Sequence, residues 1–204
     1  LQAGGSSEAV EKGLTSGVVS VVASGGAFAA LKETGQVVCW GDAHSGGDYS
    51  AVAAELREGV NSVTSSSQAF AAIKTGGKVV TWGSPASGGD GRGRSEELSD
   101  AVVSTSSTSH AFAALKSTGG VVTWGSRKLG GKSTAVLPMI EEGIVSIHST
   151  SGAFAALTVA GDVVTWGSAL CGGDSAEVAA HLTDVRAIYS NAFAFAAING
   201  FGAV

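Results

Sequence analysis

The 204-residue sequence predicts an all-β repeat protein, and three recurring landmarks carry that prediction. Trp40, Trp82, Trp124 and Trp166 stand 42 residues apart, each followed by glycine. Phe28, Phe70, Phe112 and Phe154 keep the same interval inside an Ala-Phe-Ala-Ala run, and Phe195 follows after a one-residue deletion. Paired glycines recur at 4–5, 46–47, 88–89, 130–131 and 172–173. Landmarks sharing one period define units near 4–45, 46–87, 88–129, 130–171 and 172–204, read as a single array over 1–204.

Each unit justifies its elements in turn. In residues 60–66, Val60, Ser62 and Thr64 alternate with Asn61, Val63 and Ser65, the two-residue period of a short strand. The run 69–74 places Phe70 and Ala72 on one face and Ala71 and Ile73 on the other, so both faces are apolar. Such a strand belongs inside a stack of sheets, and alanine lets the neighbouring sheet come close. Thr75, Gly76 and Gly77 supply a hairpin turn, and residues 78–83 return as a third strand. After the paired glycines, in residues 48–59, Asp48 or Ser50 can cap a helical turn, Val52 and Leu56 share a face, and Gly59 can end it.

One unit alone cannot bury its Phe, Trp, Val and Leu. Stacked neighbours can, at about 1.5–3 kcal/mol for each large apolar side chain. A period in the forties with three to four short strands and a short helix or loop between units matches propeller-like blades rather than a β-helix. About five units are present, and both ends fall inside a unit. The expectation is an incomplete ring, a segment of a longer chain, with a self-contained five-unit ring as the alternative.

Composition narrows the function classes. Charged residues make up 14% of the chain against about a quarter in an ordinary soluble domain. A surface finished with Ser, Thr, Gly and Ala is weakly protected against association, which favours a protein partner. The net charge of −5 argues against a chain-wide grip on nucleic acid, and no apolar run is long enough to span a bilayer as a helix. Two cysteines at different phases of the repeat do not make a disulfide framework, and no signal peptide is visible. An intracellular or organellar location is therefore favoured over secretion.

The succession carried by Phe28, Leu31, Gly35, Val37, Trp40 and Gly41, and by their equivalents in every unit, resembles the repeat of the regulator of chromosome condensation (RCC1) family. That resemblance implies bladed β-propeller architecture. It also brings the family's roles into view: guanine-nucleotide exchange on a small GTPase, chromatin association, ubiquitin-ligase accessory domains and light sensing. The unit is shorter than the family's usual repeat, and a Gly-Gly-Asp stretch replaces the family's Gly-Gln-Leu-Gly. Only His110 occupies the place where family blades often carry histidine; Gly26, Gln68 and Gly152 stand there in the other copies.

Chemistry-bearing residues yield no catalytic constellation. His44, His110, His148 and His181 occupy four different phases. Asp48, Asp90 and Asp174 recur in Gly-Gly-Asp, with Lys132 in the fourth copy, but lack the closely spaced carboxylates of a calcium loop, so they read as turn or cap residues. The stretch 125–134 misses a phosphate-binding loop by one residue, since Ser126 stands where the motif requires glycine. The tryptophans, all in one phase, read as core aromatics. One asymmetry remains: Arg92, Arg94, Arg127, Lys128 and Lys132, five of the 12 basic residues, gather on the linkers that open units three and four. They form a candidate partner-binding patch, weighed against simple solvation of loops.

The sequence thus points to a non-catalytic protein–protein interaction scaffold or accessory subunit, not an enzyme, with no cofactor, metal or small-molecule ligand expected. The alternatives are an RCC1-like regulatory module or a structural subunit of an organellar membrane complex held by protein contacts.

Overall fold

The computed structural model describes residues 5–204. Contacts divide the chain into two compact units, Leu1–Val102 and Val103–Val204.

The first unit contains two sheets. One is formed by β1 (Val18–Ala23), β2 (Ala27–Lys32) and β3 (Val37–Gly41), the other by β4 (Val60–Ser65), β5 (Ala69–Lys74) and β6 (Val79–Gly83). Each is an antiparallel meander with its Ala-Phe-Ala-Ala strand in the middle. That position explains the apolar character of both faces: five consecutive residues of β5, from Ala69 to Ile73, are buried. Where β4 enters, the register shifts between Val60 and Ser62, and the same irregularity lies between Val18 and Ser20. A bulge repeated in phase bends each first strand at its start.

The second unit repeats the plan with β7 (Val102–Ser107), β8 (Ala111–Lys116) and β9 (Val121–Gly125), then β10 (Ile144–Ser149), β11 (Ala153–Thr158) and β12 (Val163–Gly167). A fifth sheet pairs β13 (Val185–Ser190) with β14 (Phe195–Asn199). Four sheets therefore have three strands and the fifth, among the described residues, has two.

Register sets the core. Phe28 lies opposite Trp40, Phe70 opposite Trp82, and Phe154 opposite Trp166, with Phe112 and Trp124 matched the same way. The four ring pairs stack with centroids 5.2–5.4 Å apart. Phe70, Phe112 and Phe154 are fully buried and their tryptophans nearly so. Directly opposed aromatics add about 0.5–1.5 kcal/mol beyond the area they bury.

The paired glycines build the seat for these rings. Gly46 and Gly130 each close a 3-10 turn with φ near +100°, at 97° and 100°. A Cβ at Gly46 would stand 2.6 Å from the Phe70 ring, and one at Gly130 2.5 Å from the Phe154 ring. The carbonyls of the same glycines accept from the indole nitrogens of Trp82 and Trp166, both at 3.1 Å. Only glycine meets both the left-handed backbone and the clearance.

Between sheets the expected helix is mostly shorter than an α-helical turn. Ser50–Val52 and Arg92–Arg94 are 3-10 turns of three residues, Leu137–Ile140 is a single α-helical turn, α2, and Ala176–His181 is a six-residue 3-10 segment. Glu11–Leu14 is the other single α-turn, α1. Three of these linkers nevertheless bury an apolar anchor, Leu56, Leu98 and Ile140. The Leu56 carbonyl accepts from Val37 N at 2.8 Å and the Leu98 carbonyl from Val79 N at 2.9 Å, so the linker is tied to the first residue of the third strand.

Candidate interaction surface

Variation between repeats is concentrated in the linkers and the first strands. The framework segments AFAAIK, AFAALK and VVTWG recur almost unchanged, whereas residues 48–59, 90–101, 132–143 and 174–184 differ more, keeping Asp at 48, 90 and 174, Val at 52, 136 and 178, and an apolar anchor at 56, 98, 140 and 182. The fold holds both ends of these segments. Ser24, Ser66, Thr108 and Thr150, each just after a first strand, donate through their hydroxyls to the carbonyls of Ser45, Ser87, Leu129 and Cys171, at 2.8–2.9 Å. At the far end, the Lys32 and Lys74 ammonium groups donate to the Gly13 and Glu55 carbonyls. Within the first unit, Ser65 Oγ reaches the Ala23 carbonyl of the preceding sheet at 2.7 Å, and Gly25 N reaches the Ser67 carbonyl at 2.7 Å.

The Gly-Gly-Asp carboxylates cap turns. Asp48 Oδ1 accepts from Ser50 N at 2.9 Å, Asp90 Oδ1 from Arg92 N at 3.0 Å, and Asp174 Oδ1 from Ala176 N at 3.0 Å. Such a bond stabilises the charged carboxylate and competes with α-helix formation. The Ser50 amide holds the Asp48 carboxyl below the ordinary carboxylate range. Asp90 goes further, down to about 2, because the Arg92 side chain donates to both its oxygens.

Of the basic residues singled out in the sequence, Arg92 and Arg94 lie on the 3-10 turn of the first unit. Arg92 is paired with Asp90 at 2.7 Å and Arg94 with Glu97 at 3.1 Å. Arg127 and Lys128 are neighbours on the 3-10 turn Arg127–Leu129 of the second unit, and Lys132 follows Gly130 and Gly131. All three are exposed, and none forms an ion pair among the described residues.

A cleft of about 860 Å³ opens in the first unit along the outer side of β6. One wall is the linker bearing Asp48, Tyr49 and Val52, the other the linker bearing Pro85, Asp90 and Leu98. Lys78 and Glu55 form an ion pair at its side. A second cleft of about 630 Å³ stands one repeat earlier, where Cys39, Trp40 and Asp48 take the places of Thr81, Trp82 and Asp90. Both are in the size range of ligand-binding clefts. Cys39 itself is buried, and burial pushes its thiol up to about 12. Among the described residues no group of three His, Cys, Asp or Glu could hold a metal ion, and no helix is long and apolar enough to cross a membrane.

The sequence reading had no handle on Ser24, Ser66, Thr108 and Thr150, or on Lys32 and Lys74. Their periodicity was the available signal, but their partners are carbonyl oxygens about 20 residues away, which no side-chain pattern shows.

Repeated antiparallel three-stranded sheets with linkers at a constant edge define a β-propeller-like tandem-repeat protein. No family model and no curated protein matches the sequence. Solved structures do. The ectodomain of the Physcomitrella patens receptor kinase CR4 is similar over 90% of this chain and 49% of its own, with 16% identity and a TM-score of 0.55. The CRINKLY WD40 ectodomain of the Arabidopsis thaliana receptor kinase ACR4 is similar over 90% of this chain and 65% of its own, with 15% identity and a TM-score of 0.53. Prp20p of Saccharomyces cerevisiae, the yeast RCC1, is similar over 74% of this chain and 45% of its own, with 17% identity and a TM-score of 0.51. The chain thus spans between about half and two thirds of the structures it resembles, and the likeness is one of fold.

Proposed function

We propose that this chain is a non-catalytic protein–protein interaction module that reads its partner with the inter-sheet linkers. The observation that carries the reading is the division between a framework repeated almost residue for residue and linkers that diverge, both ends of which the framework fixes. A rigid array presenting variable segments at constant spacing is how repeat proteins assemble extended binding surfaces. Prp20p has been described with binding properties to Gsp1p and histones, and yeast RCC1 in a structure with Kap60 bound, so proteins of similar fold do take protein partners. Their identity to this chain is too low to carry those partners over.

The test exchanges linkers. The chain, and a variant in which residues 90–100 are replaced by the sequence of residues 48–58, are immobilised and used to capture partners from cells expressing the chain. The expected result is a stoichiometric partner held by the parent and lost by the variant, while the two unfold at the same denaturant concentration. A partner held equally by both, or a chain that stays alone, refutes the reading.

A further inference from the structure

The third strand of each complete sheet is an edge, and in β6 the orientation of that edge can be read from its hydrogen bonds. Lys74 N donates to Lys78 O at one end of the β5–β6 ladder and Ser84 N to Gln68 O at the other, both at 2.8 Å. Antiparallel pairing alternates, so Val80 and Trp82 turn their backbone groups toward β5, whereas Val79, Thr81 and Gly83 turn theirs outward. Val79 N is taken by the Leu98 carbonyl at 2.9 Å. Next along the edge, the backbone N–H and C=O of Thr81 face the 860 Å³ cleft, and among the described residues no further strand pairs with β6.

The linker does not lie flat on this edge. It is fastened at two points, Leu98 O to Val79 N and Gly91 N to Thr81 Oγ1 at 2.9 Å, and bows away between them. Val52 and Leu98 give the cleft apolar walls on either side. Its charges are nearly matched: Lys78 sits on Glu55 and Arg92 on Asp90. Asp48 at the rim is exposed and has no cation paired with it among the described residues. With Val79 N taken by Leu98 and Gly89 lying against the Gly83 carbonyl, the open part of this edge is the Thr81 N–H and C=O, a short template for an added strand.

We infer that the cleft beside β6 binds an extended peptide segment of a partner protein, which adds to the Thr81 edge as a fourth strand and places a Lys or Arg against Asp48. This rests on the interaction reading above and names its chemistry: main-chain bonds to the edge, alternate apolar side chains toward Val52 and Leu98, and one cation at the rim.

The probe is a random heptapeptide display library selected on the full chain, followed by synthesis of the peptides recovered. Expected are Val-, Ile- or Thr-rich peptides with one Lys or Arg that protect the Thr81 amide from hydrogen exchange. Methylating the peptide nitrogen that meets the Thr81 carbonyl should weaken binding about five- to tenfold, and methylating the nitrogens on either side of it should have little effect. Asp48→Lys should weaken it about three- to tenfold with the fold unchanged, as a rim charge does. Thr81→Pro removes the outward donor, and with it the Oγ1 that holds Gly91 N, and should abolish binding, whereas Thr81→Val, which loses only the Oγ1 bond, should still bind; Asp48→Lys keeps the test decisive if the proline variant does not fold. Recovery of no peptide, or binding without N-methyl alternation or Thr81 protection, overturns strand addition. Linker-dependent capture persisting in that case would show that the interaction reading itself still stands.

Discussion

Replacing Gly130 with alanine tests the packing logic of every unit at one atom. The added methyl would stand 2.5 Å and 2.6 Å from two carbons of the Phe154 ring, on a backbone with φ of +100°. Left-handed geometry costs a non-glycine residue about 1–2 kcal/mol. Forcing the ring aside adds about 1–3 kcal/mol of overpacking. Displacing Trp166, whose indole donates to the Gly130 carbonyl, removes a hydrogen bond worth about 1 kcal/mol. The expected loss is about 3–6 kcal/mol, a large part of the 5–15 kcal/mol typical of a whole domain. In urea, with a slope of about 2 kcal/mol per molar, the midpoint should fall by about 2 M. Unfolding would be followed by tryptophan fluorescence, since Trp166 stacks on Phe154. Gly93→Ala is the control: a Cβ there meets nothing within 4 Å, so the midpoint should move by less than about 0.5 M. A Gly130→Ala midpoint matching that of Gly93→Ala would refute the claim that the paired glycines seat the aromatic pair.

Three further outcomes follow from single side chains. Leu56→Ala empties a fully buried anchor and should cost about 2–5 kcal/mol by urea denaturation, whereas Val52→Ala at the half-buried neighbour should cost less. Asp90 is depressed from 3.8 to about 2 by its bonds from Arg92. A carboxyl lowered on folding stabilises above its unfolded value and loses that contribution as pH falls through its folded value. Carboxyl-carbon NMR should therefore give a midpoint near 2, and Asp90→Asn should flatten the acid limb of stability between pH 3.8 and about 2; a midpoint near 3.8 contradicts the bidentate pairing. Cys39, only 2% exposed and with its thiol raised to about 12, should resist iodoacetamide at pH 8 in the folded chain and react once urea unfolds it; rapid alkylation of the native protein would mean that β3 is not buried.

The repeat made most of the fold legible. Phe and Trp at fixed phase mark the centre of each sheet, since an aromatic recurring in one position must meet the same surroundings each time. Two-sided apolarity placed Ala69–Lys74 between two other strands. The linkers were harder to read. Their spacing of Val52 and Leu56 suggests an α-helical face, but only one turn is available and Asp48 bonds the Ser50 amide from outside it, so a 3-10 turn wins. The paired glycines were recognisable as turns, whereas their role as a seat for the Phe–Trp pair depends on contacts with the next sheet. Basic residues could be counted along the sequence, but pairing of Arg92 with Asp90 and of Arg94 with Glu97 depends on how each turn folds.

A partner read by the variable linkers should leave the exposed faces of the sheets uncovered. Hydrogen exchange of the captured complex against the isolated chain tests it most directly. Slowed exchange concentrated in residues 43–58, 85–100, 127–142 and 169–183 is the predicted result. Protection centred on the first strands, where Val19, Val21, Val103 and Val145 are more than half exposed, with the linkers unchanged, would contradict it.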